Sequence, residues 1–158
     1  MKKLFFIFLF FIDINVFAFE VKLDKCVDGD TARFFIDNKS QSVRFLAIDT
    51  PEMNTNAGKI AADYTCNKLK NAEKIELEYD PNSDKKDKYN RHLGWIFIDD
   101  ELLQVDLVKN NYAKVAYLYG DYKYTHLLVS KEKDYSLPFL YISLIIILIL
   151  FYKKIKQI

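Results

Sequence analysis

The amino-acid sequence predicts a mainly-β domain of the α+β class. Three observations support this fold class. Short segments in the middle of the chain alternate apolar and polar residues, turns rich in glycine, aspartate and asparagine separate these segments, and one longer helical segment interrupts the series. The chain has 158 residues, of which 51% are apolar and 28% charged, and this composition is sufficient for one compact domain.

The first three predicted strands follow one another closely. They cover residues 21–27, 32–36 and 41–48. The turn Asp28-Gly29-Asp30-Thr31 separates the first two strands, because its glycine can take a positive φ without steric cost. A second turn, Asp37-Asn38-Lys39, separates the second strand from the third. These segments are therefore expected to form a meander.

A helix is predicted over residues 57–71, between the third and fourth strands. Its apolar residues recur at helical spacing. The residues expected to face the interior are Ile60, Ala61, Tyr64 and Leu69.

Two further strands and a second helix complete the predicted domain. The strands cover residues 74–79 and 93–98, with the charged loop 80–87 before the fifth strand, and the helix covers residues 101–110. Five short strands with a helix after the third are typical of a five-stranded barrel of the OB type, here with two to three helices.

The first 18 residues have the pattern of an export signal. Lys2 and Lys3 precede the unbroken apolar run 4–12, and Ala18 ends a segment with small residues at the positions that a signal peptidase reads. Nine apolar residues are too few to span a bilayer, which needs about 20. We expect residues 1–18 to be removed; an uncleaved anchor and a buried first strand are the alternatives.

The last apolar segment of the chain predicts a transmembrane helix over residues 136–152. Its length is at the lower edge of the spanning range of roughly 17–25 residues, and the basic tail 153–158 suits the cytoplasmic side. A buried core helix is the alternative. Residues 19–135 would then form the extracytoplasmic domain.

The charge of the middle of the chain excludes nucleic-acid binding by general attraction. The whole chain carries a net charge of +1. Its two ends have five lysines and one aspartate and so carry +4, which leaves residues 19–138 with −3. An anionic substrate would need local cations, either a few arginines or a metal ion.

Two aspartates are expected at one edge of the meander. Asp30 follows the first strand and Asp49 ends the third, so the two carboxylates and the Thr50 carbonyl could form an all-oxygen site. Hard oxygen ligands on loops favour Ca²⁺. An ordinary hairpin turn is the alternative for the Asp-Gly-Asp motif.

Two arginines and a glutamate suggest that this site acts on a phosphodiester. Arg44 and Arg91 would neutralise charge on the phosphoryl oxygens, and Glu52 would orient or deprotonate water. Tyrosine rings would provide stacking faces for bases, although ordinary aromatic packing is the alternative for any one of them. These tyrosines are Tyr89, Tyr117 and Tyr119.

The motifs together resemble those of the staphylococcal nuclease (thermonuclease) family. The similarity extends over residues 21–126, in the order and with the spacing of the family. The matching segments are DGDT at 28–31, Arg44, DTPE at 49–52, DKYNR at 87–91 and AKVAYLY at 113–119.

The resemblance implies an OB-fold barrel and a Ca²⁺-dependent phosphodiesterase that cleaves DNA and RNA and leaves 3′-phosphates. It implies that Asp30, Asp49 and the Thr50 carbonyl bind calcium and that Arg44, Arg91 and Glu52 are catalytic. The residues implied for the nucleotide pocket are Lys88, Tyr89, Tyr117 and Tyr119. Asn90 stands where the family usually has glycine, and Asn can also adopt the left-handed conformation.

Two cysteines, Cys26 and Cys66, lie in the part of the chain expected to be exported. An oxidising compartment permits a disulfide between them, and two free buried thiols are the alternative.

The combined hypothesis is an exported, membrane-tethered, monomeric and calcium-dependent nuclease acting on DNA, RNA or both. The main alternative is an inactive OB-fold module that binds nucleic acid or protein at the cell envelope. A structural envelope protein is the third possibility.

Overall fold

The computed structural model describes residues 18–129. Residues 18–128 belong to one compact unit. The strands within the described part are Phe19–Glu20 (β1), Lys22–Cys26 (β2), Thr31–Ile36 (β3), Lys39–Phe45 (β4), Ile48–Asp49 (β5), Ile75–Glu78 (β6), His92–Ile98 (β7), Glu101–Leu102 (β8) and Lys114–Val115 (β9). The helices are Asn56–Asn71 (α1), Leu103–Lys109 (α2) and Thr125–Leu128 (α3).

The main sheet has the strand order β1-β6-β7-β4-β3-β2, and β8 pairs with β7 outside this path. Strands β4 and β7 run parallel, with Val43 opposite His92, whereas the other neighbours are antiparallel. β5 and β9 form a separate two-stranded sheet. This arrangement confirms the predicted mainly-β α+β class.

The two ends of the main sheet are consecutive segments of the chain. β1 pairs with β6, with Phe19 opposite Leu77, and β2 pairs with β3. Val21 lies between β1 and β2, and its amide donates a hydrogen bond of 2.9 Å to the carbonyl of Ile75. The continuous stretch from β1 to β2 therefore pairs with β6 at one end of the sheet and with β3 at the other. Closure into an OB-type barrel remains a prediction.

The core is aromatic and aliphatic, and a buried glutamine attaches α2 to it. Trp95, Phe34 and Phe45 are among the largest fully buried side chains. Gln104 is also fully buried, and it accepts a hydrogen bond from the Ile96 amide and donates one to the Gly94 carbonyl. Both polar ends of this side chain are therefore satisfied by the backbone of β7.

Helix α1 begins one residue earlier than predicted. Ala61 and Leu69 are buried as expected, and Tyr64 packs against the core. Thr55 caps the helix by accepting a hydrogen bond of 2.9 Å from the Gly58 amide.

The expectation that Ile60 faces the interior is wrong, since 48% of this residue is exposed. A Cβ at Gly58 would lie 2.1 Å from the Glu52 carbonyl oxygen, so the helix packs here directly on backbone. The buried residues are Gly58, Ala61, Ala62, Thr65 and Leu69.

Two other predicted elements have different bounds. The predicted strand over residues 41–48 is interrupted after Phe45, because Ala47 adopts a left-handed conformation with φ 62° before β5 begins. The predicted helix over residues 101–110 starts only at Leu103, because Glu101 and Leu102 first pair with β7.

A disulfide joins β2 to α1. The Cα atoms of Cys26 and Cys66 are 5.6 Å apart, and the two cysteines are 40 residues apart in sequence. Next to the disulfide, the Thr65 hydroxyl donates a hydrogen bond of 2.8 Å to the Gly29 carbonyl. Helix α1 is thus attached both to the end of β2 and to the turn that follows it.

The two predicted terminal segments lie outside the described residues, apart from Ala18. These segments are the export signal over residues 1–18 and the apolar segment 136–152 with its basic tail 153–158. Among residues 18–129, no helix has both the length and the apolar character needed to cross a bilayer.

Replacing both Cys26 and Cys66 by serine is expected to lower the free energy of unfolding by roughly 2–4 kcal/mol, because the disulfide restricts the unfolded chain. Denaturant titration measures this loss, and reduction of the unaltered protein should produce the same decrease. Thiol titration of the unreduced, denatured protein should find no free thiol. Two free thiols would show that the disulfide does not form.

Candidate active site

One cavity of about 730 Å³ collects all ten predicted site residues. Four parts of the fold form its walls: the turn after β2, the end of β4 with β5 and the turn that follows, the loop before β7, and the segment after β9. The predicted residues in its lining are Asp30, Arg44, Asp49, Thr50, Glu52, Lys88, Tyr89, Arg91, Tyr117 and Tyr119.

Asp30 is the buried carboxylate at the centre of this site. Only 5% of the residue is exposed. Its Oδ2 atom accepts hydrogen bonds from the Thr50 amide at 2.7 Å and from the Thr50 hydroxyl at 2.9 Å. Gly29 permits this close approach, because a Cβ at that position would lie 2.8 Å from the Thr50 side chain. The turn after β2 is thereby attached to the end of β5.

Arg44 lies between the two carboxylates that were predicted to bind a metal. Its guanidinium forms an ion pair with Asp30, and its Nη2 atom is 3.4 Å from Asp49 Oδ1. The same Nη2 donates a hydrogen bond of 3.2 Å to the Ile48 carbonyl. Burial lowers the pKa of Arg44, and the negative charges of Asp28 and Asp49 oppose this change. A partly buried guanidinium is retained here because anions surround it.

Asp49 is also approached by a lysine from the neighbouring strand. Asp49 on β5 pairs in register with Lys114 on β9, and Lys114 Nζ is 3.2 Å from Asp49 Oδ2. Because three quarters of the lysine side chain is exposed, this ion pair contributes little to stability. The lysine nevertheless places a positive charge beside Asp49, a residue of the cavity lining.

The carboxylates fit a bound cation, although they do not form a complete metal cage. Within residues 18–129, no cluster of three or more His, Cys, Asp or Glu side chains is suited to holding a metal ion. Asp30 and Asp49 nevertheless converge on one positive group, the Arg44 guanidinium. Carboxylate oxygens supplemented by a backbone carbonyl and water are typical ligands of Ca²⁺. The donor set is therefore compatible with calcium.

Sequence reasoning did not select Asp28 as a site residue. Asp28 lies in the cavity wall, and its Oδ1 atom accepts a hydrogen bond of 3.0 Å from the Asp30 amide. Burial raises the pKa of Asp28, and hydrogen bonding to Thr31 and the charge of Arg44 only partly oppose this effect. Asp28 is the first residue of the same Asp-Gly-Asp turn, but nothing in the motif indicates that its carboxylate supports the Asp30 backbone.

Arg91 is oriented by Asp87, a second residue that sequence reasoning did not assign to the site. Both Nε and Nη2 of Arg91 lie 2.7 Å from Asp87 Oδ2, while Asp87 Oδ1 accepts hydrogen bonds from the amides of Tyr89 and Arg91. Burial raises the pKa of Asp87, but these hydrogen bonds and the charge of Arg91 outweigh it, so the pKa is lowered. Asn90 has φ 61°, which agrees with the expected left-handed conformation.

The three predicted tyrosines are surface residues, which argues against ordinary core packing for them. Tyr89, Tyr117 and Tyr119 are 68%, 51% and 83% exposed. The Arg44 guanidinium lies 5.6 Å from the centre of the Tyr117 ring, and the Arg91 guanidinium lies 5.4 Å from that of Tyr89. Each arginine is thus paired with an aromatic face that is still accessible from the cavity.

Glu52 is the exposed carboxylate of the site. Its backbone is held by Thr55, whose amide and hydroxyl both donate hydrogen bonds to the Glu52 carbonyl, at 2.9 Å and 2.7 Å. In the described part of the chain, no hydrogen bond or ion pair engages its carboxylate. A fixed backbone with a free carboxylate suits a group that must act on a water molecule.

The arrangement combines two carboxylates that converge on one guanidinium, a second guanidinium, a free carboxylate and exposed aromatic rings around one cavity. Guanidiniums bind phosphate oxygens through paired hydrogen bonds, and aromatic faces stack on bases. These are the chemical groups that a phosphodiester of a nucleic acid requires.

Comparisons with known proteins agree with this chemistry. A sequence model of the family described as "Staphylococcal nuclease homologue" matches residues 42–135. The chain is 36% identical over 104 residues to Endonuclease YncB of Bacillus subtilis (strain 168), covering 63% of this chain and 49% of that relative. It is 36% identical over 105 residues to the SPbeta prophage-derived endonuclease YokF of the same organism, covering 63% and 35%. It is 34% identical over 119 residues to the thermonuclease of Staphylococcus hyicus, covering 72% and 69%. The chain therefore spans half or less of the two Bacillus relatives and about two thirds of the staphylococcal one.

Proposed function

Because this chain belongs to the staphylococcal nuclease family, we propose that it is a calcium-dependent nuclease that hydrolyses phosphodiester bonds of DNA, RNA or both. The observation that carries the proposal is the cavity in which Arg44 lies between the carboxylates of Asp30 and Asp49, with Arg91 and Glu52 in the same lining. The names of the two Bacillus relatives favour cleavage within the strand.

Asp30, Asp49 and the carbonyl of Thr50 would hold the calcium ion. When bound, this ion would supply positive charge that stabilises the phosphoryl oxygens as their negative charge increases. The buried position of Asp30 and its two hydrogen bonds from Thr50 support this assignment, because the carboxylate is fixed in place before a ligand arrives. Preorganisation of this kind avoids an ordering cost on binding.

The two arginines would bind the scissile phosphate. Each guanidinium presents a planar set of donors that matches phosphate oxygens. Asp87 holds the Arg91 guanidinium through Oδ2, so this arginine enters the cavity in a defined orientation. Arg44 is held by Asp30, Asp49 and the Ile48 carbonyl. Their charges would be most effective in the transition state, where the phosphoryl oxygens are most negative.

Glu52 would orient a water molecule and take its proton. The water oxygen then forms a bond to phosphorus and the bond from phosphorus to the 5′ oxygen breaks. The 5′ oxygen takes a proton from solvent, and Glu52 returns to solvent the proton that it received. The products are a 3′-phosphate and a 5′-hydroxyl. The free carboxylate and the fixed backbone of Glu52 support this role.

The exposed tyrosines and Lys88 would bind the nucleotide next to the scissile bond. Tyr117 and Tyr119 have ring centres 6.3 Å apart, and Lys88 Nζ lies 5.0 Å from the centre of the Tyr89 ring. Stacking tolerates any base, because every base has an aromatic face. The site would therefore accept many sequences.

The fold of this domain would be a five-stranded OB-type barrel. The support for closure is the continuous stretch from β1 to β2, which pairs with β6 at its start and with β3 at its end. Closure would remove both edges of the main sheet, and unpaired edges are sites of aggregation.

We also propose that the protein is exported and tethered to the membrane as a monomer. The support is in the sequence: a signal-like segment at residues 1–18, and an apolar segment at 136–152 followed by lysines. The nuclease domain would then face the outside or the periplasm, where calcium is abundant.

Substitution of Glu52 by glutamine is expected to reduce kcat by about 100-fold or more, the scale of lost proton-transfer catalysis. Replacing Arg44 or Arg91 by lysine or alanine should also be severe, because a point charge does not replace a planar fork. Steady-state cleavage of single-stranded DNA measures these effects. Arg33→Lys is the matched control, since Arg33 contacts Ser40 outside the cavity. Full activity in an Arg44→Ala, Arg91→Ala double variant would disprove the mechanism.

Removal of calcium by a chelator is expected to abolish cleavage, and added Ca²⁺ should restore it. Mg²⁺ should restore it poorly, because it requires more regular octahedral geometry than a loop-borne site offers. Calcium should also raise Tm, since it binds only the folded protein. Asp30→Asn should remove this increase, whereas Asp63→Asn on the exposed face of α1 should retain it. Undiminished cleavage in excess chelator would exclude the calcium site.

The full-length mature protein is expected to remain with the membrane during alkaline carbonate extraction and to require detergent for release. Truncation after Ser136 should give an active enzyme that needs no detergent, because the spanning segment is then missing. If the full-length protein is soluble without detergent, the proposed tether is wrong.

A further inference from the structure

Three residues just before the cavity loop form a row of polar side chains, which we call the polar ladder. They occupy alternate positions at the end of β6 and the start of the following loop. Glu78 ends β6, whereas Asn82 lies in a turn that begins at Asp80, where the Ser83 amide donates a hydrogen bond of 3.2 Å to the Asp80 carbonyl. The strand end and the turn together bring all three side chains to one neighbouring segment. The ladder residues are Glu78, Asp80 and Asn82, and the segment they contact is 121–124.

Two of the ladder residues, Asp80 and Asn82, bind the backbone of this segment. The Asn82 amide group donates a hydrogen bond of 2.6 Å from Nδ2 to the Asp121 carbonyl. Asp80 Oδ2 accepts a hydrogen bond of 2.7 Å from the Lys123 amide. Because these contacts involve main-chain atoms, they determine the path of the segment and not only the orientation of its side chains.

The first ladder residue, Glu78, binds side chains of the segment. Glu78 Oε1 accepts a hydrogen bond of 2.6 Å from Lys123 Nζ, and Oε2 accepts one of 2.9 Å from the Tyr124 hydroxyl. The hydrogen bond to Glu78 also raises the pKa of Lys123. Only 4% of Glu78 is exposed, and a buried carboxylate is retained only where donors satisfy both of its oxygens.

Asp80 connects the ladder to the core. Its exposure is also 4%, and its Oδ2 atom accepts a second hydrogen bond of 2.7 Å from the indole Nε1 of Trp95, a fully buried residue of β7. Its Oδ1 atom accepts a hydrogen bond of 2.9 Å from the backbone amide of Asn82. One buried carboxylate thus joins a core strand, the start of the cavity loop and the segment 121–124.

The ladder precedes one wall of the cavity in the chain, and the segment that it contacts follows another wall. Residues 87–91 follow the ladder and carry Tyr89 and Arg91, whereas Tyr117 and Tyr119 precede the segment that it holds. Beside the ladder, a Cβ at Gly120 would lie 3.1 Å from the Asn82 carbonyl oxygen, so the chain after Tyr119 packs closely on the chain that precedes residues 87–91. The contacts of the ladder therefore join the chain that leads into the Tyr89 wall to the chain that follows the Tyr117–Tyr119 wall.

We propose that the polar ladder is a positioning element that sets the separation of the Tyr89 wall from the Tyr117–Tyr119 wall, and with it the affinity for a single strand of nucleic acid. This inference rests on the proposed function, since it assigns the width of the same cavity. The ladder does not contact Asp30, Arg44 or Asp49 within the described residues. Arg91 lies on the Tyr89 wall, but its guanidinium is oriented by Asp87 of the same loop. The ladder should therefore act on substrate binding and leave the chemical step unchanged.

The test is the substitution Asn82→Ala, because Asn82 is exposed and its loss should not unfold the domain. KM for single-stranded DNA is expected to rise roughly 2- to 10-fold, the effect of one lost hydrogen bond, with kcat unchanged. The Kd for a fluorescein-labelled, phosphorothioate-linked octathymidylate, measured by anisotropy with calcium, should rise by the same factor. Tm should change by no more than in the control Asn67→Ala, an exposed residue of α1.

The variant Asp80→Asn gives a second measurement. It preserves the shape of the side chain but replaces one acceptor oxygen by a donor group, so we expect a lower Tm together with a larger increase in KM. Equal KM and Kd for Asn82→Ala, Asn67→Ala and the unaltered protein would overturn the inference, as would a decrease in kcat at constant KM. If the unaltered protein binds the octathymidylate but cleaves no DNA, the nuclease proposal fails while Kd still tests the ladder. If it neither binds nor cleaves, both are overturned.

Discussion

The buried carboxylate of Asp30 is the constraint on which the rest of the site depends. A charge that is only 5% exposed must be compensated, and here Thr50 and Arg44 compensate it from two other segments. The Asp30 carbonyl also accepts the Phe45 amide at 2.9 Å, so the turn and β4 are joined through backbone as well. One residue thereby fixes the relative positions of the groups proposed to hold calcium and phosphate. The cavity lining contains five acidic side chains against three basic ones, so an anionic substrate would depend on the proposed calcium ion for additional positive charge.

Much of the fold could be predicted from the sequence, because hydrophobic alternation and turn residues identify β3, β4, β6 and β7 within a few positions. The errors arise where tertiary contacts override local pattern. Ile60 has the right spacing for a buried helix face, yet Gly58 and Thr65 are buried instead, because α1 packs on the backbone of the turn at Glu52. The left-handed conformation of Ala47, which divides the predicted third strand, has no signal in residue type.

The ten predicted site residues lie around one cavity, and each could be identified because it belongs to a short sequence motif. What the sequence did not indicate were the partners of these residues. Asp87 and Asp28 belong to the same motifs but have no special composition around them, and the buried carboxylates of Glu78 and Asp80 appear in the sequence as ordinary charged residues. Their roles follow from long-range hydrogen bonds, such as that from Lys123 to Asp80, and periodicity contains no information on such pairs.

The position of the first strand has a consequence for the order in which the domain folds. Phe19 pairs with Leu77, and the parallel partners Val43 and His92 are similarly distant in sequence, so the pairings that complete the main sheet are among its least local contacts. Contacts of this kind form late, because the entropy of closing a long loop must be lost before they contribute. The local hairpins of β2, β3 and β4 can form first. A covalent link from Cys26 to α1 would reduce the loop-closure entropy that the final strand pairings still cost. Oxidation of the cysteines and the final strand pairing would then be successive steps of the same assembly.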